Sequence, residues 1–566
     1  MRFLITSLIY LAALLSLLLG VAERTIWHPD STHQLSIELN NSTPYVILPA
    51  STLGHFAGNL TVSAGGSKQV FASVGRESDV AAWVGSCQRT EIEIAPGGKK
   101  LVESTLAGGG VLSDPEGSDL WRDQRVSAQT LDFPVDTANQ AAVLVASNGI
   151  ERAPSKITLN WQIPFDLTPS NFALILGGIL LIAGFIMNWL TYWHIRNTRG
   201  PRRRTPKPPT GPQIRKLNID RITIARGRRV AGRSKLAFPV GILVLGLLSG
   251  CTSAVTKPAD IPTATLDANA VPVSLLQGQL ERILTDVALS AANGDKGKDA
   301  KQLQNRFNGP ALEIRAARYI LQQRNKKVPA PESIAAGPIS FSLPAATSQW
   351  PRTAMVVTQR TGSSELPQML VMQQDSPRSN YKVWYSIAML PGAKIPAVPS
   401  ADVGSAPVTP NSLFLAMSPK ALARTYGDVI DNGLTSTSAG MFDVSKDEFY
   451  SQLSQSQKAQ KAALKKASLK FTHNLGENNV LSLSTSDAGA LVAVYMTDSY
   501  VIKPTKLGSA VTVSGNEKTM LGSNGSIRGV KSVYGDMLLF YVPALASKDQ
   551  IRLLGVTQGL VSVRGL

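Results

Sequence analysis

Cysteine is nearly absent from this chain. Only Cys87 and Cys251 occur among its 566 residues, which excludes a disulfide framework and a cysteine-based metal cluster. Histidine is almost as scarce. His28, His33, His55, His194 and His473 are scattered, and no His-x-x-x-His or His-Glu-x-x-His pair sets two imidazoles on one helix face. The sequence also lacks a Gly-x-x-x-x-Gly-Lys-Ser/Thr phosphate loop and a Gly-x-Ser-x-Gly nucleophile elbow. Ser379-Asn-Tyr-Lys382 has the Ser-x-x-Lys spacing of penicillin-binding nucleophiles. It follows Asp375-Ser-Pro in a turn before a strand, however, and neither Ser-Asp-Asn nor Lys-Thr-Gly accompanies it. The acidic run Asp114-Pro-Glu116-Gly-Ser-Asp119-Leu-Trp121-Arg-Asp123 lacks the spacing of a calcium loop and reads as a solvated loop. Cys87 reads as a small structural residue. No catalytic, cofactor or metal site can be named from spacing, and the balance leans away from an enzyme.

Acidic residues are missing from one stretch in particular. Between residues 195 and 235 there are fourteen Lys or Arg and a single acid, Asp220, so thirteen of the chain's eighteen net positive charges lie there. No aromatic residue interleaves them, which argues against nucleic acid. A basic stretch between two apolar runs is what the positive-inside rule expects of a cytoplasmic loop touching membrane lipid heads.

The apolar runs are what the sequence does have. Phe3 to Val21 is long enough to be a signal peptide or a first transmembrane helix (1–22). Phe172 to Met187, followed by Trp189, Tyr192 and Trp193, reads as a transmembrane helix (171–193) with an interfacial aromatic belt, and Gly177, Gly178 and Gly184 would admit a neighbouring helix closely. A third run, 236–251, has a basic head, a short apolar core containing Pro239, and the ending Leu248-Ser-Gly-Cys251. It is short for a stable crossing and is laid out like a secretory signal.

Between these runs the patterning is that of folded domains. Residues 24–168 alternate with period two at 33–39, 60–62, 91–94 and 157–161, with Gly and Pro clusters between, and predict an exported β-rich domain. A polar tether, 252–271, leads into two modules of helices followed by antiparallel strands, 272–390 and 411–566. The stretch between them, 391–410, holds five prolines and reads as a linker. The fold class expected is a multi-domain membrane protein with a β-rich exported domain and a C-terminal α+β region.

Leu-Ser-Gly-Cys251 resembles the bacterial lipobox, which implies lipid attachment at Cys251 and cleavage before it. Helices leading into an antiparallel meander resemble cystatin-like or nuclear-transport-factor-2-like modules. Residues 143–161, running into the membrane span, and Arg306-Phe-Asn-Gly-Pro-Ala-Leu-Glu-Ile-Arg315 are similar to uncharacterised actinobacterial envelope proteins. Together these imply a non-catalytic cell-envelope protein, most of it outside the bacterial membrane, that binds or organises other envelope proteins or wall glycans. An enzyme or accessory factor of wall-glycan or lipid-linked sugar metabolism is the alternative. A fusion of a membrane protein with a lipoprotein is the other.

Overall fold

The computed structural model describes residues 2–26, 32–40, 43–138, 140–163, 168–198, 273–360, 362, 364–464, 466–476, 480–506 and 508–566. The basic stretch beyond residue 198, the tether and Cys251 lie outside the described residues. The chain divides into two compact units.

The first unit holds two apolar helices, α1 (Arg2–Thr25) and α4 (Thr168–Thr198). Each contains a stretch long and apolar enough to cross a membrane, Leu4–Thr25 and Ser170–Thr198, with mean hydropathies of 2.4 and 2.2. Two of the three glycines singled out in the sequence are where the helices meet. A Cβ at Gly177 would come within 2.7 Å of Leu17, and one at Gly184 within 2.8 Å of Tyr10. Small residues thus let the two backbones approach, as in membrane helix pairs.

The second unit contains residues 30–165 and 271–566. Its N-terminal part is a β-rich domain of β1 (Thr32–Glu38), β2 (Tyr45–Leu48), α2 (Ala50–Leu53), β3 (Asn59–Arg76), α3 (Glu77–Val84), β4 (Arg89–Ile94), β5 (Leu101–Leu106), β6 (Asp123–Val135), β7 (Ala141–Ala146) and β8 (Lys156–Gln162). One sheet runs β1-β8-β3-β7-β2-β4-β5, with β6 also pairing β3, and only the β2–β4 pair is parallel. Every residue of β7 is buried, which explains its unbroken apolar run Ala-Ala-Val-Leu-Val-Ala.

The C-terminal part is α+β. Helices α5 (Gln277–Gly297) and α6 (Gly309–Arg324) precede a four-stranded antiparallel sheet of β9 (Ile339–Pro344), β10 (Arg352–Thr358), β11 (Gln368–Gln374) and β12 (Lys382–Ala388). Helices α7 (Pro419–Asn432) and α8 (Glu448–Ala463) precede a second antiparallel sheet. It consists of β13 (Ala467–Leu475), β14 (Leu481–Ser484), β15 (Ala490–Pro504), β18 (Val530–Val542) and β19 (Arg552–Gly565). The short β16 (Val511–Thr512), α9 (Gly515–Leu521) and β17 (Gly525–Ser526) lie between β15 and β18.

Alternation decides how the second sheet packs. Leu491, Ala493, Met537 and Leu539 join the core that contains Met355 and Val371 of the first sheet. Val492, Val494, Leu538 and Phe540 face the other way and meet Leu422, Tyr426 and Ile430 of α7. The two modules therefore share one core. The proline-rich stretch between them is stitched down: Ser405 N–H donates to Pro344 O at 2.9 Å, and Val408 N–H donates to Ser482 O at 3.0 Å.

The β-rich domain is joined to the α+β part by buried charge. Arg352 Nη2 donates to Asp79 Oδ1 at 2.7 Å, with side chains 0% and 2% exposed. Arg306 Nη1 donates to Asp119 Oδ2 at 2.7 Å, and the Tyr381 N–H donates to the same oxygen. Arg378 lies over the Trp83 ring, 4.9 Å from its centroid, and donates to the Trp83 and Val111 carbonyls and to Cys87 Sγ. Gln279 and Arg282 of α5 donate to the carbonyls of Leu120 and Trp121. The acidic run expected to be a solvated loop is thus corrected at Asp119, which is 1% exposed. A buried carboxylate needs a counter-charge, and Arg306 supplies one from 187 residues away.

Candidate functional site

The strands of the second sheet bring a row of polar groups under α7 and α8. His473 on β13 stands opposite Asp498 on β15. Asp498 stands opposite Tyr534 on β18. Two residues along β18, Asp536 stands opposite Gln558 on β19. Residues two apart on a strand share a face, so the two carboxyls are diagonal neighbours on the helix side.

Local structure closes the helices over this row. Helix α7 begins with Pro419 at its first turn, where a missing N–H costs nothing. Its Gly427 leaves room for the histidine, since a Cβ there would fall 2.6 Å from His473 Cβ. Asp447 caps α8 by accepting from Tyr450 N–H at 2.8 Å, and it also accepts from the Tyr426 hydroxyl at 2.7 Å. Helix α8 then turns Leu453 and Gln457 inward.

Asp498 and Asp536 are 0% exposed. His473 Nε2 is 3.2 Å from Asp498 Oδ1, and Nδ1 is 3.0 Å from Asp431 Oδ1 at the end of α7. Both distances are in ion-pair range, yet His473 Nδ1 and Asp498 Oδ1 lack a partner with hydrogen-bond geometry. Gln457 Nε2 lies 3.2 Å from His473 Nε2. Gln558 Nε2 donates to Asp536 Oδ1 at 2.8 Å, while Asp536 Oδ2 and both Asp498 oxygens find no donor.

The missing donor is a proton. Burial, and then the charge of Asp536, hold the Asp498 carboxyl far above the usual carboxylate range. Burial also raises Asp536, less steeply, because the adjacent Asp498 carboxyl and the Gln558 amide pull it back. A proton held on Asp498 supplies a donor that the pair of carboxyls otherwise lacks. Burial and the nearby carboxyls push the Tyr500 hydroxyl up as well.

Two clefts reach this row from outside, and Tyr534 and Gln558 border both. One, of about 440 Å³, lies between α8 and the sheet and is lined by Phe449, Gln452, Ser456, Gln460 and Tyr500 as well. Its lining carries amides, hydroxyls and rings but no charged side chain. The other, of about 290 Å³, lies against α6 and includes Arg315, Arg318, Glu332 and Asn516. Arg315 is committed to Asp295, to which it donates at 2.9 Å.

The residues that the sequence singled out lie elsewhere. Ser379 shares a hydrogen bond with Ser376 in the β11–β12 turn, beside the contact made by Arg378, and Lys382 opens β12. His33 stacks on Phe56 at 4.7 Å. Cys87 is 1% exposed and its Sγ donates to Val111 O at 3.3 Å, a structural role. His28 lies outside the described residues. Among the described residues no group of three His, Cys, Asp or Glu is arranged to hold a metal ion. Sequence reading missed the Asp498–Asp536 row. A signal was available, because each of two long strands carries a single acidic residue beside an apolar run, and a buried charge demands an explanation.

A family model, the domain of unknown function DUF8094, matches residues 275–565. The chain belongs to that family. The match takes in the whole Asp498–Asp536 row and all three arginines that reach the β-rich domain. No curated protein and no solved structure matches the chain.

Proposed function

We propose that this member of the DUF8094 family is a membrane-held, non-catalytic protein of the bacterial cell envelope, whose exported parts form one platform for binding envelope components. The observation that carries the reading is the pair of buried ion bridges, Asp79–Arg352 and Asp119–Arg306, in a single compact unit. Residues joined in this way fold on one side of a membrane. The chain that connects them contains α4, so it must cross and come back. The basic stretch then lies inside, as the positive-inside rule requires, and the apolar run ending at Cys251 makes the return, as a short span or as a lipoprotein signal. The uncharged cleft beside α8 is the binding place. Its amides, hydroxyls and aromatic rings suit a neutral polyhydroxylated ligand such as a wall glycan.

The second reading, an acid–base enzyme of sugar metabolism, draws on the Asp498–Asp536 pair. Both carboxyls are sealed under α7 and α8, so that reading requires the helices to lift before a substrate reaches them.

Cysteines introduced singly at exposed Lys99, exposed Val403 and Thr210, then treated with a membrane-impermeant maleimide on intact cells, test the platform. Labelling at 99 and 403 with none at 210 is expected. Labelling at 99 with protection at 403 places the two parts on opposite sides and overturns the proposal.

A further inference from the structure

The β-rich domain and the α+β part meet in a contact with the character of a protein–protein interface. In each hydrogen bond described above, the donor belongs to residues 271–566 and the acceptor to residues 30–165. Two acceptors, Asp79 and Asp119, are buried carboxylates, and each meets a buried arginine at 2.7 Å. Arg378 adds a stacked guanidinium on Trp83. Buried aromatic and arginine anchors of this sort carry most of the energy of interfaces between separate chains. Every residue named in the contact belongs to 30–165 or to 271–566.

We infer that the face of the β-rich domain carrying Asp79, Trp83 and Asp119 is a docking surface for the family region itself, and that it holds that region without a covalent link. Its partner is residues 271–566, recognised through Arg306, Arg352 and Arg378. Cleavage before Cys251 therefore leaves a two-piece complex, with the lipidated C-terminal piece seated on the membrane-anchored N-terminal piece. The lipid and the contact hold the same piece independently. The inference rests on the proposed placement of both parts on one side of the membrane, but its test does not.

The full chain, carrying inserted protease sites at Pro29, Asp166 and Ala270, is purified in detergent and cut at all three. Cutting removes both apolar helices and any lipid at Cys251, so a shared micelle cannot hold the pieces together. Co-elution of 30–165 with 271–566 as a 1:1 complex is expected. Two separate peaks, each with the circular dichroism of folded protein, overturn the inference. Arg378→Ala is the second probe, because Arg378 is only half-buried and sits in a turn. The cut complex should then dissociate at least about tenfold more readily, the loss expected of an interfacial arginine anchor. An unchanged affinity removes this surface as the docking site. If the halves co-elute but the labelling at 403 fails in cells, the platform reading falls and this one stands.

Discussion

The contact between residues 30–165 and 271–566 buries carboxylates against arginines, whereas the second sheet buries carboxylates against each other. Asp119 has Arg306 and the Tyr381 N–H at 2.7 Å; Asp498 has Asp536. Both arrangements are dry, and desolvation raises both Asp119 and Asp498. At Asp119 the guanidinium pulls back toward the charged form; at Asp498 the Asp536 carboxyl pushes further toward the neutral one. Buried charge in one unit can thus serve as a fastener or as a proton store, and the neighbour decides which.

Breaking the fastener has the largest expected effect. Arg306→Ala strands Asp119 in the interior, for which a loss of about 3–5 kcal/mol is typical. Removing both partners, as Asp119→Leu with Arg306→Met, should restore much of that loss, because no orphan charge remains. Chemical denaturation of the purified protein reads both. Equal losses in the single and double variants would show that the pair itself, and not the orphan, matters.

Neutralising the proton store should work in the opposite direction, and more weakly. The folded pKa values of Asp498 and Asp536 lie above the unfolded value of about 4. The folded state therefore holds a proton that the unfolded state releases, and stability falls as pH rises from about 4 through neutrality. Asp498→Asn keeps a donor for Asp536 and cannot ionise. It should stabilise the protein by about 1–2 kcal/mol at pH 8, flatten the decline with pH, and change little at pH 4. A destabilised Asp498→Asn variant with the wild-type slope would show that the carboxyl is ionised in the fold.

Much of the architecture was legible in the sequence because it follows from periodicity. Two of the three apolar runs became α1 and α4, and the alternating stretches of the first 165 residues became strands of one sheet. The helices expected at the start of the module 411–566 are α7 and α8. What periodicity cannot give is the partner across a long sequence separation. Arg306 sat in a recognisable stretch and Asp119 in an acidic loop, but nothing local connects them. The same limit hid the candidate site. Asp498 lies beyond the apolar run that opens β15, and a charge ends an apolar pattern, while β15 continues to Pro504. His473 and Gln558 are adjacent to this row only through strand pairing. The shared core of the two modules and the stitched proline-rich stretch were invisible for the same reason.

Infrared spectroscopy of the purified protein at pH 7 tests the contrast between the two buried sites most directly. A protonated carboxyl absorbs apart from a carboxylate, so a buried neutral aspartic acid gives its own band. The wild-type protein should show such a band, and Asp498→Asn should abolish it. A wild-type spectrum without the band, or a band that survives in Asp498→Asn, would contradict the assignment of the shared proton to Asp498.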